Sequence, residues 1–115
     1  MANDFKRFCK PDVGTSNTTL YTVPGSSKES IVIGITMANK SNSGITGSIF
    51  IDNEDGSNDV FIVKDASIPA GSSLEVMSGN KLVLQSDASG NADNLEGIAS
   101  ATSSLDITVS VLEDV

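Results

Sequence analysis

The chain has 115 residues, one cysteine, no histidine, no tryptophan and a formal net charge of −8, which together suit one soluble domain with a core of small branched side chains. Since histidine is absent and the single Cys9 can make neither an intrachain disulfide nor a Cys-based metal site, composition argues against most hydrolases, transferases and zinc enzymes, and no cofactor is expected. The acidic charge is repelled by phosphate backbones and anionic lipids, so we expect no nucleic acid and no membrane among the partners.

Residues 1–16 are predicted to form an extended N-terminal arm, ahead of a single domain at 17–115. The first twelve residues carry a local charge of +1, whereas the rest of the chain carries −9. They lack a signal-peptide apolar region, and no segment approaches the roughly 20 apolar residues of a membrane-spanning helix, so we expect a product made in the cytoplasm. A solvated chain end is the common outcome for such an arm, and docking on an acidic neighbour, such as another copy of the chain, is the alternative.

Two similar phrases mark chain reversals, Val23-Pro24-Gly25-Ser26-Ser27 and Ile68-Pro69-Ala70-Gly71-Ser72-Ser73. Proline presets φ for a turn and glycine supplies a positive φ, so each phrase predicts a turn that leads into a strand. The first phrase follows a strand predicted over 17–23. The repetition fits two similar corners of one sandwich, and a duplication within the chain is an alternative explanation.

Between these phrases the sequence alternates with a period of two. Four residues are predicted to share the inward face of the first such strand: Ile31, Ile33, Ile35 and Met37. A polar turn at 39–44 leads to a second strand, whose inward face is resumed by Ile45, Ile49 and Ile51. We expect these two strands to form a hairpin.

The second half of the chain predicts a strand at 60–63 and a pair of strands, 74–77 and 81–85, joined by a turn at 78–80. Residues 95–104 are ambiguous between strand and loop. The last strand is the clearest, because Leu105, Ile107, Val109 and Val111 alternate with polar residues.

Two acidic loops, 52–59 and 87–96, contain the carboxylate and amide oxygens that calcium prefers. Neither has the ligand spacing of an EF-hand, so solvated surface turns are the preferred interpretation and calcium binding stays open. No Gly-x-Ser-x-Gly nucleophile motif occurs, and nothing in the sequence places two carboxylates across a groove. We therefore expect that the protein is not an enzyme.

Seven or eight short strands at regular spacing, without helical periodicity, predict an all-β fold, an antiparallel β-sandwich or jelly roll. Several segments resemble a family of small virion structural proteins of tailed phages, of the marine cyanophage type: residues 1–8, 13–16, 20–24, 32–34, 38–39, 59–65, 68–74 and 109–113. The similarity spans nearly the whole chain. Where members of that family often have a compact acidic stretch after the strand at 82–84, this chain has a longer polar insertion at 86–94.

The resemblance implies a non-enzymatic virion protein, and we expect a capsid decoration, or cement, protein that braces the head lattice. A neck or tail-associated component, such as a fibre or tail-tip subunit, and a receptor- or glycan-binding module are the alternatives. The expected partners are the major capsid protein or other virion proteins, together with further copies of the chain in a homo-oligomer. Because aromatic and arginine side chains dominate interface hot spots, the expected particle contacts lie in the arm: Phe5, Lys6, Arg7 and Phe8.

Overall fold

The structure is a computed structural model, and it describes residues 3–52, 59–77 and 81–114. These residues form nine β-strands: β1 (Asn3–Val13), β2 (Thr18–Thr22), β3 (Glu29–Asn39), β4 (Ile45–Asp52), β5 (Asp59–Ile68), β6 (Ser73–Glu75), β7 (Leu82–Gln85), β8 (Asn94–Ala99) and β9 (Leu105–Asp114). No residue in these ranges is helical, and so none belongs to a helix that could span a membrane. The expected all-β sandwich is confirmed.

The strands form two antiparallel sheets. The first sheet has the order β1-β9-β3, with β6 and β7 both paired to the far side of β3, and the second sheet has the order β2-β8-β4-β5. Of the segment 95–104, which the sequence leaves ambiguous, residues 95–99 belong to β8, a central strand of the second sheet, and residues 100–104 form the connection to β9. The core lies between the sheets and is built mainly from aliphatic side chains, and the largest of those that are fully buried are Ile35, Met37, Ile49, Ile68, Leu84, Leu95, Leu105 and Ile107.

The alternation predicted for the last strand is confirmed, since the four residues predicted to share one face, Leu105, Ile107, Val109 and Val111, are all buried in the core. The alternation predicted for β3 is wrong in its first half. A register shift between Val32 and Gly34 inverts the phase of the strand, so that Ile35 points inward while Ile31 and Ile33 lie on the outer face. Glycine in a strand interior is a common marker of such a bulge.

The predicted hairpin between β3 and β4 is also wrong, because the two strands belong to different sheets. The turn at 39–44 is a corner between the sheets. Asn39 is buried there, and its amide nitrogen donates to the backbone carbonyls of Ser43 at 2.8 Å and Ile68 at 3.0 Å. These bonds tie the end of β3 to the end of β5, which directs the chain across the sandwich and away from a tight hairpin.

The strands β6 and β7 do not pair with each other, contrary to expectation. Both run antiparallel to β3, with β6 beside its last residues and β7 beside its first. They therefore act as two consecutive pieces of one edge strand. The turn predicted at 78–80 lies outside the described residues.

Both proline-glycine phrases form the predicted turns. Gly25 has a φ of +80° and Gly71 a φ of +69°, the left-handed region that glycine adopts without steric cost. The first phrase joins β2 of the second sheet to β3 of the first, and the second phrase joins β5 of the second sheet to β6 of the first. Both are therefore corners of the sandwich.

The two sheets approach closely at Gly97 of β8. A Cβ atom built there lies 2.8 Å from Cδ1 of Ile107 on the opposite sheet, a separation that packed carbon atoms do not adopt. Because glycine has no side chain, the two sheets can pack this closely at Gly97.

Candidate interaction surface on the first sheet

The N-terminal residues 3–13 form β1, which lies along β9 as an edge strand of the first sheet. The pairing runs without interruption from Asn3, opposite Asp114, to Lys10, opposite Ile107. A bulge follows, where Asp12 has a φ of +55°. The segment expected to be an arm is thus extended and continues the sheet, while the division of the chain at residue 16 stays a prediction.

The four residues expected to contact a particle alternate between the two faces of β1. Phe8 is half-buried, and its ring centroid lies 5.0 Å from that of Tyr21 on the second sheet. The Lys6 ammonium lies 3.7 Å from the buried carboxylate of Glu113. Phe5 and Arg7 are exposed, Phe5 by 74%. Lys6 and Phe8 therefore attach β1 to the sandwich, and Phe5 and Arg7 are presented on its outer face.

A buried polar network lies beneath Lys6 and joins the two sheets. The hydroxyl of Tyr21 donates to Glu113 Oε2 at 2.5 Å, and Ser30 Oγ lies 2.7 Å from the same hydroxyl. Because the phenol has a single proton and donates it to Glu113, its oxygen accepts from the Ser30 hydroxyl. Burial, reinforced by the bond to Glu113, raises the pKa of Tyr21 above its usual value. The Tyr21 phenol therefore keeps its proton, and its two hydrogen bonds hold β2 against β3 and β9.

The outer face of the first sheet carries an apolar row of four residues that are register partners on successive strands: Phe5, Leu112, Ile31 and Val83. Phe5 and Val83, at the two ends, are 74% and 56% exposed, and Ile33 beside the row is also exposed. Large apolar side chains that are contiguous on a surface mark an interaction site more often than scattered ones.

Charged residues flank this apolar row on both sides. Arg7 lies two residues beyond Phe5 on β1, and Lys81 lies two residues from Val83, so both cations are on one side of the row. Glu29, two residues before Ile31 on β3, lies on the other side. No ion pair joins these three residues to any other described residue.

The far end of the same sheet carries a separate charge cluster. The Lys40 ammonium lies 2.5 Å from Asp12 and 2.9 Å from Asp106, which raises the pKa of Lys40. The pKa of Asp106 is lowered, chiefly by the hydrogen bond from the Asp12 backbone amide and then by the hydrogen bond from Lys40. An open depression of about 310 Å³ lies next to the cluster, lined by Cys9, Lys10, Pro11, Asp106, Ile107 and Thr108. Lys40 offsets only one of the two carboxylate charges, so these three residues keep a net charge of −1.

The acidic loop after β7 is organised by Asp87. Its carboxylate accepts hydrogen bonds from the backbone amides of Ser89 and Asn91 and from the Asn91 side chain, and the bonds from Asn91 above all lower the pKa of Asp87. Within 3–52, 59–77 and 81–114, no three acidic, cysteine or histidine side chains are placed to hold a metal ion. Residues 53–58 of the other acidic loop lie outside the described residues.

The second sheet carries an aromatic pair near its edge. The ring centroids of Phe50 and Phe61 are 5.1 Å apart, and the Lys64 ammonium lies 4.9 Å from the Phe61 centroid. Phe50 is buried, whereas Phe61 is exposed. The Phe61 ring therefore already has partners within the sheet, which makes it a poor free platform for a sugar ring.

The sequence identifies Phe5, a member of the apolar row, and the flanking Arg7. It does not identify the other three members of the row, Leu112, Ile31 and Val83. Ile31 is assigned to the core because the alternation is read through Gly34 without a bulge. Leu112 and Val83 become part of a surface only when four strands from distant parts of the chain are in register. The glycine in the strand is the one signal that sequence offers.

No protein-family model and no curated protein matches the sequence. Among solved structures, the chain is similar to one from Bacillus endospore appendages, a family of disulfide-linked pili, with a TM-score of 0.55, 10% identity, and coverage of 96% of this chain and 86% of that chain. It is also similar to a chain of infectious bursal disease virus, Gx strain, with a TM-score of 0.50, 14% identity and 96% coverage, and it spans 32% of that viral chain. These similarities show a shared fold.

Proposed function

We propose that the chain is a non-enzymatic structural protein of a phage virion that decorates the capsid and braces the head lattice. The observation that carries this proposal is the apolar row on the outer face of the first sheet, which is exposed at both ends and flanked by charges that no ion pair joins to another described residue. A particle subunit needs such a surface, whereas an enzyme needs converging reactive groups. The sequence resemblance to small tailed-phage virion proteins, and a fold shared with a pilus chain and a viral chain, support the same proposal.

Within this proposal, Phe5 and Arg7 contact the particle, and Lys6 and Phe8 hold β1 in the position from which they do so. Because β1 is paired along β9, Phe5 is presented from a hydrogen-bonded strand of the sheet. Little conformational entropy is then lost when it docks, which favours binding over the same residues on a free arm. The partner in this arrangement is another virion protein, which includes the major capsid protein and further copies of this chain.

The experiment replaces Phe5 and Arg7 with serine in the encoding phage and measures the amount of protein on purified particles by quantitative mass spectrometry. We expect occupancy to fall for each variant, and more for the pair. Val60→Ser is the matched control, because Val60 is an exposed apolar residue on an edge strand of the second sheet. Normal occupancy of the double variant contradicts the proposed contact.

Point substitutions are a better test than deletion of residues 1–10. That deletion removes most of β1, uncovers the edge of β9 and takes away the contacts of Lys6 and Phe8. Loss of docking and loss of folding are then not distinguished. Independent folding of 17–115 stays a prediction.

A tail-associated role is the second candidate, and the similarity to a chain of Bacillus endospore pili is the observation that favours it. A repeating tail structure also presents a fixed outer face to its neighbours. The position of the protein on the particle separates the two roles.

A further inference from the structure

We propose that the outer face of the first sheet is a two-fold interface between copies of this chain, in which the apolar row packs against the same row of a second copy. This inference deepens the proposed function, on which it rests for its place in a particle, by naming a second copy of the chain as the partner of Phe5. The contact between two copies does not require a particle, so it is tested on the purified protein.

The first step of the argument is the shape of the apolar row. Its members occupy one register line across β1, β9, β3 and β7, so the row runs straight across the sheet, perpendicular to the strands. A two-fold axis parallel to this row places every member opposite its own copy. Phe5 then meets Phe5 and Val83 meets Val83 of the second copy, which is the self-complementary arrangement that a two-fold interface requires.

The second step is the charge on either side of the row. Rotation about the same axis carries the side with Arg7 and Lys81 over the side with Glu29 of the other copy. Glu29 begins β3, and Lys81 directly precedes the neighbouring strand β7, so each Glu29 comes close to the partner's Lys81, and the pair forms twice. A second acid, Glu75, lies on the same side of the row as Lys81 but farther from the row. Its carboxylate accepts a hydrogen bond from Thr36 at 2.9 Å and so has a partner within its own copy.

A two-fold axis parallel to the strands gives the opposite result. It places the two cations Arg7 and Lys81 over each other and leaves Glu29 without an opposite charge. Like charges brought together in an interface weaken binding. The distribution of charge therefore selects the axis along the row and the antiparallel stacking of strands that follows from it.

The size of the face sets the expected strength of the contact. Four strands are about 19 Å across, and the eight residues from Asn3 to Lys10 are about 26 Å long, which gives about 500 Å² per copy. Stable complexes bury about 800 Å² per partner. We therefore expect a reversible dimer whose population depends on concentration, and which a repeating particle would reinforce through many copies.

The test uses the purified full-length chain and measures the dimer dissociation constant by sedimentation over a range of protein concentrations. Glu29→Lys alone and Lys81→Glu alone should each raise the constant about tenfold, because each substitution affects two symmetry-related pairs. The double variant, Glu29→Lys with Lys81→Glu, should recover most of the wild-type affinity. Both residues are exposed, so the fold is unaffected.

A second measurement tests the axis itself. In a Cys9→Ser background, Leu112→Cys places a thiol on the apolar row, where it faces its own copy across stacked sheets about 10 Å apart. A short bismaleimide should cross-link this variant into a dimer. Thr108→Cys is the matched control on the same strand and face, and its two copies lie about 27 Å apart along the strands, so it should not be cross-linked.

A wild-type chain that stays monomeric at the highest accessible concentration overturns the proposal. So does a double charge variant that is weaker than either single variant, or equal cross-linking at Leu112 and Thr108. If the chain is monomeric and yet the Phe5 and Arg7 variants lose particle occupancy, the row binds another virion protein. The proposed function then stands and the two-fold interface does not.

Discussion

The variant Tyr21→Phe tests the buried network that attaches the two sheets to each other. It removes one oxygen atom and keeps the ring, whose contact with Phe8 is unchanged. What is lost is the 2.5 Å bond to Glu113 and the 2.7 Å bond with Ser30, all among buried residues.

The expected loss of stability follows from these two bonds. A hydrogen bond to a charged group contributes about 1.5–3 kcal/mol, and a neutral one about 1 kcal/mol. Tyr21→Phe should therefore lower the free energy of unfolding by about 3 kcal/mol, a large part of the roughly 5–15 kcal/mol of a typical domain.

The assay is urea denaturation followed by circular dichroism, in which the transition midpoint should fall while its slope is unchanged. Thr22→Val is the matched control on the same strand, because the Thr22 hydroxyl bonds Asn94 at the exposed surface. We expect it to cost less than about 1 kcal/mol. A Tyr21→Phe effect no larger than that of Thr22→Val refutes the network as described.

Three further variants or conditions give related predictions. Gly97→Ala should destabilise the protein by about 1–3 kcal/mol in urea, because its Cβ collides with Ile107, whereas Gly14→Ala, where no atom lies within 4 Å of the added Cβ, should be close to neutral. Asn39→Asp should lower the thermal midpoint, because it removes an amide that donates to two backbone carbonyls and brings a carboxylate toward them; an unchanged midpoint would contradict that role. Since the pKa of Tyr21 is raised in the folded state, stability should be intact below about pH 10 and fall at higher pH, and this fall should be smaller in Tyr21→Phe.

Local patterns were enough to predict the fold class. Period-two alternation identifies β9, and proline with glycine identifies the two corners, because both signals depend on neighbouring residues alone. The pairing of strands was not predictable in the same way. The hairpin between β3 and β4 fails because a buried Asn39, bonded to the distant Ile68 carbonyl, turns the chain into the other sheet.

The candidate surface was predictable only in part. Phe5 and Arg7 stand out as an aromatic and a cation near a chain end, but their neighbours on the surface come from β9, β3 and β7. Only long-range register brings Leu112, Ile31 and Val83 beside Phe5. A bulge at Gly34 moves Ile31 from the predicted core to the outer face, and alternation alone does not contain that shift.

The most direct test of the central proposal is the abundance and position of this protein on purified particles of the encoding phage. Quantitative mass spectrometry gives its ratio to the major capsid protein, and separated heads and tails give its location. A capsid decoration protein should be on heads in a fixed ratio to the major capsid protein. Absence from particles contradicts a virion role, and a few copies confined to the neck or tail contradict decoration of the head.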